Sequence, residues 1–200
     1  MNSSKTFLRN TLAGALLASA SFVAAPALAA DYVIDTEGSH ASINFKIQHF
    51  GYSWLTGRFN EFSGNFSYDE DNVKASKINV TVKANSVDTN HAERDKHLRG
   101  DDFLDVSKFS EATFVSTSIK DIDDDGDEFD IVGDLTLHGV TREITIEVEK
   151  VGEGKDPWGG YRVGFEGETE IRLKDFGIDY NLGPASEVVK LELHVEGVRQ

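Results

Sequence analysis

Apolar and polar residues alternate with a period of two along most of the chain beyond residue 30. Ile43, Phe45, Ile47 and His49 alternate with Ser42, Asn44, Lys46 and Gln48. Ile78, Val80 and Val82 alternate with Asn79, Thr81 and Lys83, and Ile144, Ile146 and Val148 with Thr145, Glu147 and Glu149. Val163, Phe165, Gly167, Thr169, Ile171 and Leu173 form one long face. Val189, Leu191, Leu193 and Val195 form another, against Lys190, Glu192, His194 and Glu196. Each run reads as a strand with one buried and one wet face. Turn signals separate the runs, among them Glu37-Gly38, Asp125-Gly126, His138-Gly139, Gly152-Glu153-Gly154 and Pro157-Trp158-Gly159-Gly160. Short links between such strands predict an antiparallel all-β fold of about eight strands. One-sided burial favours a closed up-and-down barrel, with a two-sheet sandwich as the other architecture.

One segment breaks the alternation. Asn90 to Arg99 has good helix formers, with Asn90 placed to cap and Glu93 in the capping-box position. Asp95 and Arg99 stand at i,i+4, where they are expected to pair. Gly100 ends the helix, and Asp101 to Asp105 reads as a second short turn carrying Phe103 and Leu104, so the helical insertion lies near residues 90–105.

The first 29 residues have a different character. Lys5 and Arg9 precede an apolar stretch from about Leu12 to Ala25, followed by Pro26-Ala27-Leu28-Ala29. That order is the signature of a signal peptide cleaved after Ala29, and the apolar stretch is shorter than the roughly 20 residues a membrane span needs. Residues 30–200 are then expected to form a single domain in the periplasm, without repeat or linker. The chain has 20 basic and 35 acidic residues, a net charge of −15. A field of that sign repels nucleic-acid phosphates and anionic lipid headgroups. Cysteine is absent, which excludes disulfides, thiol chemistry and thiolate metal sites.

Candidate chemistry is sparse. Asp121-Ile122-Asp123-Asp124-Asp125-Gly126-Asp127 matches the first half of a calcium-binding EF-hand loop. Its twelfth position is Val132 rather than Glu, so a solvated hairpin loop is the stronger reading. Six histidines (His40, His49, His91, His97, His138, His194) show no H-x-x-x-H spacing. No nucleophile elbow or phosphate-binding loop is present. Arg94, His97 and Arg99 form a basic cluster, suited either to an anionic headgroup or to pairing with Asp95, Asp101 and Asp102. Phenylalanine is abundant, at 13 residues. Inside a barrel, Phe45, Phe59, Phe62, Phe66, Phe114, Phe129 and Phe165 either fill a core or line a cavity.

Longer motifs point to a family. They are Asp31-Tyr32-Val33-Ile34-Asp35 with Ser39-His40; Phe45 to Trp54; Ser86 to Arg99; Asp101-Asp102-Phe103-Leu104; Ala112-Thr113-Phe114; Gly133 to Thr141; Asp156 to Gly160; and Leu182 to Ser186. With these the chain resembles the YceI-like family of exported lipid-binding proteins. The resemblance implies an extended, lipocalin-like eight-stranded barrel with a helical insertion, and an apolar tunnel for a long isoprenoid or similar amphiphile. It tips the phenylalanines from core to cavity. Expected wall residues are Ile43, Phe45, Ile47, Ile78, Val80, Phe114, Leu135, Leu137, Ile144, Ile146, Phe165 and Leu193, with Leu98 and Phe103 as a lid. Arg94, His97 and Arg99 would face a headgroup. On this reading the protein is no enzyme, holds no metal or catalytic cofactor, and carries a lipid such as an isoprenoid quinone or polyprenyl phosphate. Transient membrane contact and a homodimer around Trp54 or Trp158 belong to the same expectation. The rival readings are an enzyme, lipid-modifying or metal-assisted, using His40 and His49 with nearby acids, and a fully packed structural or stress-response module.

Overall fold

The alternating segments pair as antiparallel strands. A computed structural model describes residues 29–200, so all of the expected leader but Ala29 lies outside the described residues. The strands are β1 (Ala30–Ile34), β2 (Ser42–His49), β3 (Ser53–Phe59), β4 (Phe62–Tyr68), β5 (Lys77–Lys83), β6 (Val87–Asp88), β7 (Glu111–Lys120), β8 (Glu128–Leu137), β9 (Val140–Lys155), β10 (Tyr161–Arg172) and β11 (Val188–Arg199). Eight of them close a ring in the order β1-β4-β5-β7-β8-β9-β10-β11, with β11 returning to β1. The predicted barrel and its strand number therefore hold, and the other three strands form an added wall.

That wall exists because β11 is long enough to serve two partners on one edge. Its other edge pairs with β10 throughout, from Arg162↔Val198 to Arg172↔Val188. On the divided edge, Gly197 to Arg199 meet β1, while Val189 to His194 meet β2. Beyond β2 come β3 and the short β6. One end of the barrel is thus closed by β1 and β4, and the other end is walled by β2, β3 and β6.

Side-chain direction follows from strand parity. Phe129, Ile131, Gly133, Leu135 and Leu137 of β8 alternate with residues on the other face, as do Val163, Phe165, Gly167, Thr169 and Ile171 of β10. The larger core cluster includes Tyr32, Phe66, Phe114, Phe129, Ile146 and the fully buried Val163. Tyr32 stacks on Phe66 at 5.0 Å between ring centres, and Phe165 meets Phe66, Tyr68 and Phe129 edge-on. A second cluster around Ile171, Phe176 and Val189 holds the opposite end.

Gly133 is the inward residue that makes room for a ring. A Cβ there would lie 2.6 Å from the Val115 carbonyl oxygen and 2.5 Å from Phe114 Cζ. The carbonyl belongs to the neighbouring strand and cannot move aside. Gly133→Ala is therefore expected to destabilise the fold by about 1–3 kcal/mol, read as a lower midpoint in urea at unchanged slope.

The helix α1 (Ala92–Leu98) follows β6, with a correction at its start. Asn90 does not cap it. Asn90 takes the left-handed turn that reverses the chain, at φ +59°, and its N–H donates to Asp88 Oδ1 at 2.8 Å. The cap is His91, whose Nδ1 accepts from the Arg94 N–H at 3.2 Å. The expected Asp95–Arg99 pair does not form either. Asp95 is buried and accepts from the Thr89 N–H and hydroxyl. Arg99 turns instead to backbone carbonyls.

Candidate functional site

Inside the barrel lie two adjoining chambers. The one walled by β2, β3 and β6 measures about 420 Å³ and reaches to α1 and the 178–186 segment. The other, under β1 and β4, measures about 160 Å³. Ile43, Val82, Leu135 and Leu191 line both, so one residue from each of β2, β5, β8 and β11 forms the collar between them.

Every expected wall residue lines one chamber or both. Ile78, Val80, Phe114, Ile144, Ile146, Phe165 and Leu193 face the smaller chamber. Phe45, Ile47 and Leu137 face the larger, with Leu98 and Phe103 reaching it from the helical insertion. Ile43 and Leu135 belong to the collar. Phe109 and Phe176 apart, every phenylalanine of the described residues lines a chamber. The choice between core and cavity is thus not exclusive. Phe66, Phe114 and Phe129 are buried against one another and still wall the smaller space.

The larger chamber opens to solvent at one place. Of its lining residues, His49, Phe50, His97 and Tyr180 are exposed, and the rest are half-buried or buried. These four sit at the end of β2, on α1 and on the 178–186 segment, and mark the mouth. His97, Phe103 and Tyr180 pack as an aromatic trio there, with ring centres 4.9–5.3 Å apart.

The smaller chamber is blind. Among its lining residues only Glu166 is exposed, and that side chain stands on the outward face of β10. A 3₁₀ turn at Glu70–Ala75 covers this end and buries Val73. Lys150 points inward at the same end, with its Nζ 2.6 Å from Asp127 Oδ1 and 3.8 Å from Glu153 Oε1. The Asp127 carboxylate raises the Lys150 ammonium above its ordinary range, so the plug keeps its charge. Burial, together with Glu70 alongside, pushes the Glu153 carboxyl up.

The basic cluster divides. Arg94 lines the larger chamber, and its Nε and Nη2 donate to Thr89 Oγ1 (2.7 Å) and Thr89 O (2.8 Å). His97 lines it too, bonded through Nε2 to Asp102 Oδ2 at 2.9 Å. Arg99 lines neither chamber, which corrects its expected place beside a headgroup. It donates to Asn85 O at 2.8 Å and Val87 O at 2.6 Å, tying the end of α1 to the strand before it.

His40 and His49 cannot share a site. They flank β2 at opposite ends, about 30 Å apart at the rise of a strand. His40 belongs to a cluster at the far end of the barrel from the mouth. Its Nδ1 lies 3.0 Å from Asp35 Oδ2. Arg162 binds Asp35 Oδ2 (2.6 Å), Glu196 Oε1 (2.5 Å) and, through Nε, Asp156 Oδ2 (2.9 Å). The bonds from His40, Arg162 and the Gly38 N–H hold the Asp35 carboxyl far below its ordinary range. Among the described residues, Asp35, His40 and Glu196 are the group of acids and histidine close enough to share an ion. A guanidinium already holds both of those carboxylates, which does not suit a cation. The acidic loop simply joins β7 to β8, where Asp123 accepts from the Glu128 N–H at 3.1 Å and raises the neighbouring Asp125 carboxyl.

The YceI-like domain model matches residues 32–197, the whole barrel. The chain belongs to the YceI-like family. A UPF0312 protein of Pseudomonas aeruginosa is 60% identical over 193 residues, spanning 96% of this chain and all of that one. Protein YceI of Escherichia coli O157:H7 is 58% identical over the same length and coverage. Among solved structures, the Campylobacter jejuni YCEI protein superposes with a TM-score of 0.68 at 29% identity, covering 78% of this chain and 91% of that one. A polyisoprenoid binding domain from Saccharophagus degradans, implicated in plant cell wall breakdown, gives a TM-score of 0.61 at 17% identity, covering 86% and 99%. At that identity the likeness speaks for the fold alone. Some of the motif residues that carry the YceI-like resemblance meet in space at one end of the barrel. Asp35, His40, Asp156 and Trp158 converge on Arg162, with its guanidinium 5.5 Å over the Trp158 ring.

Proposed function

We propose that this YceI-like protein is a non-catalytic carrier or store for a long isoprenoid amphiphile, exported to the periplasm by residues 1–29. The observation that carries this reading is the shape of the interior, an apolar cavity with one mouth and a blind end. Together the two chambers, about 580 Å³, suit a small-molecule ligand, and their walls are mainly aliphatic and aromatic side chains. An isoprenoid tail is insoluble in water. Each buried methylene contributes about 0.8 kcal/mol, so ten supply roughly 8 kcal/mol before ordering costs. Arg94 and His97 line the larger chamber at its mouth, where they would meet a headgroup such as a quinone ring or a phosphate. The same fold serves polyisoprenoid binding in the Saccharophagus degradans domain.

Solvent extraction of protein purified from a bacterial lysate, followed by mass spectrometry, tests this. A polyprenyl species at about one per chain is expected. Protein that carries no lipid, and takes up neither a prenyl quinone nor a polyprenyl phosphate from detergent, would overturn the reading.

A further inference from the structure

Exposed aromatic side chains gather around the mouth. Phe50 is 54% exposed, Tyr52 88%, Trp54 49% and Tyr180 44%. Phe50 and Tyr52 belong to the β2–β3 hairpin turn, and Trp54 stands just behind it, where Lys46 approaches its ring. Phe50 adopts φ +51°, a left-handed conformation that is unfavourable for a bulky residue. A solvated turn has no need of that strain or of an apolar tip. The hairpin tip rests near Gly183 and Ala185, so this rim is continuous with the wall of the larger chamber.

We propose that the aromatic rim docks the mouth onto the surface of a zwitterionic lipid bilayer. This deepens the carrier reading, on which it rests, by naming where the cargo is collected. Tyrosine and tryptophan suit the headgroup boundary, since each has an apolar body and a polar tip. Charge argues against an anionic surface, because the chain carries a net −15 and would be repelled. Area argues against a second copy of the chain. Whole aromatic side chains bury about 150–250 Å² each, so the four exposed portions offer roughly 400–600 Å². That falls short of the ~800 Å² per partner of a stable interface. A second copy seated here would also seal the mouth.

The two tryptophans provide the test, since Trp158 lies at the opposite end of the barrel and is 78% exposed. In Trp158→Phe protein, adding phosphatidylcholine vesicles is expected to shift Trp54 emission to the blue and to allow quenching by brominated lipid. In Trp54→Phe protein, Trp158 is expected to show neither. No response at Trp54, or an equal response at both positions, overturns the proposal. So does a Trp54 shift that grows with protein concentration without vesicles, which would place a second copy on the rim.

A second measurement separates this proposal from the carrier reading. Protein carrying Tyr52→Ser with Trp54→Ser is expected to take up a prenyl quinone from detergent micelles normally. It should extract the same quinone from phosphatidylcholine vesicles about tenfold more slowly. Unchanged extraction overturns the docking and leaves the carrier. Failure of the unsubstituted protein to take up either a prenyl quinone or a polyprenyl phosphate, from micelles or from vesicles, overturns the carrier.

Discussion

Leu135→Trp should abolish tight binding of a long prenyl chain while leaving a short one largely unaffected. Leu135 sits in the collar with Ile43, Val82 and Leu191. An indole there fills the opening and cuts off the blind chamber. If about five methylene-sized groups lose their place, the loss is about 4 kcal/mol, or about a thousandfold in Kd. A chain that fits within the larger chamber loses none of those contacts. Fluorescence titration with prenyl quinones of increasing length checks this, and the step in affinity should appear only above the length that reaches the collar. Overpacking costs about 1–3 kcal/mol of stability, so Ile43→Phe, which narrows the collar from β2, serves as an independent variant. Equal loss at all lengths for both would mean that the collar is not on the path of the ligand.

Replacing Arg162 should produce the largest loss of stability among the surface charges. Its guanidinium joins Asp35 on the loop after β1, Asp156 on the β9–β10 turn and Glu196 on β11. Without it three carboxylates face one another at the end of the barrel, and the closure of β1 on β11 loses its clasp. Arg162→Met should lower Tm by several degrees, and Arg162→Lys should recover little, since an ammonium cannot span three acceptors in a plane. The acid limb should change as well. The Asp35 carboxyl is depressed in the folded state, by His40 first and then by Arg162. Its stabilisation is therefore complete above the unfolded value of about 3.9 and is lost as pH falls below that. Stability of the unsubstituted protein should drop steeply below about pH 4, and the variant should show a shallower slope there. Urea midpoints across the acid range measure both.

Much of this architecture was legible from parity. The runs at 43–49, 78–82, 144–148, 163–171 and 189–195 needed only their period to assign inward faces. Those faces became the chamber walls because a closed sheet has nowhere else to point them. The same faces held Val82 and Leu191, so the collar was within reach of the pattern once strand positions were aligned. Other parts were not. Tyr180, Leu182 and Ile178 line the larger chamber from an irregular segment with no period to read. Phe50, in the turn that follows β2, lies beyond the run whose period could be read. Arg99 and Arg94 are alike in sequence context, and only the path of the chain after β6 sends one to carbonyls and the other to the cavity. The Arg162 cluster joins residues up to 161 positions apart in the chain, and no local pattern carries such a meeting.

The blind end has a consequence for traffic. A pocket closed at its base is a sheath, not a pipe. On the proposed carrier reading, whatever slides in tail-first must back out head-first through the same opening, so cargo would not be threaded from one membrane to another. Delivery requires the whole molecule to let go, turn over and present the same face to its recipient. The time a lipid spends in transit is then set by release of that one face and by withdrawal along the full depth of the barrel, and it should lengthen with every isoprene unit sheathed.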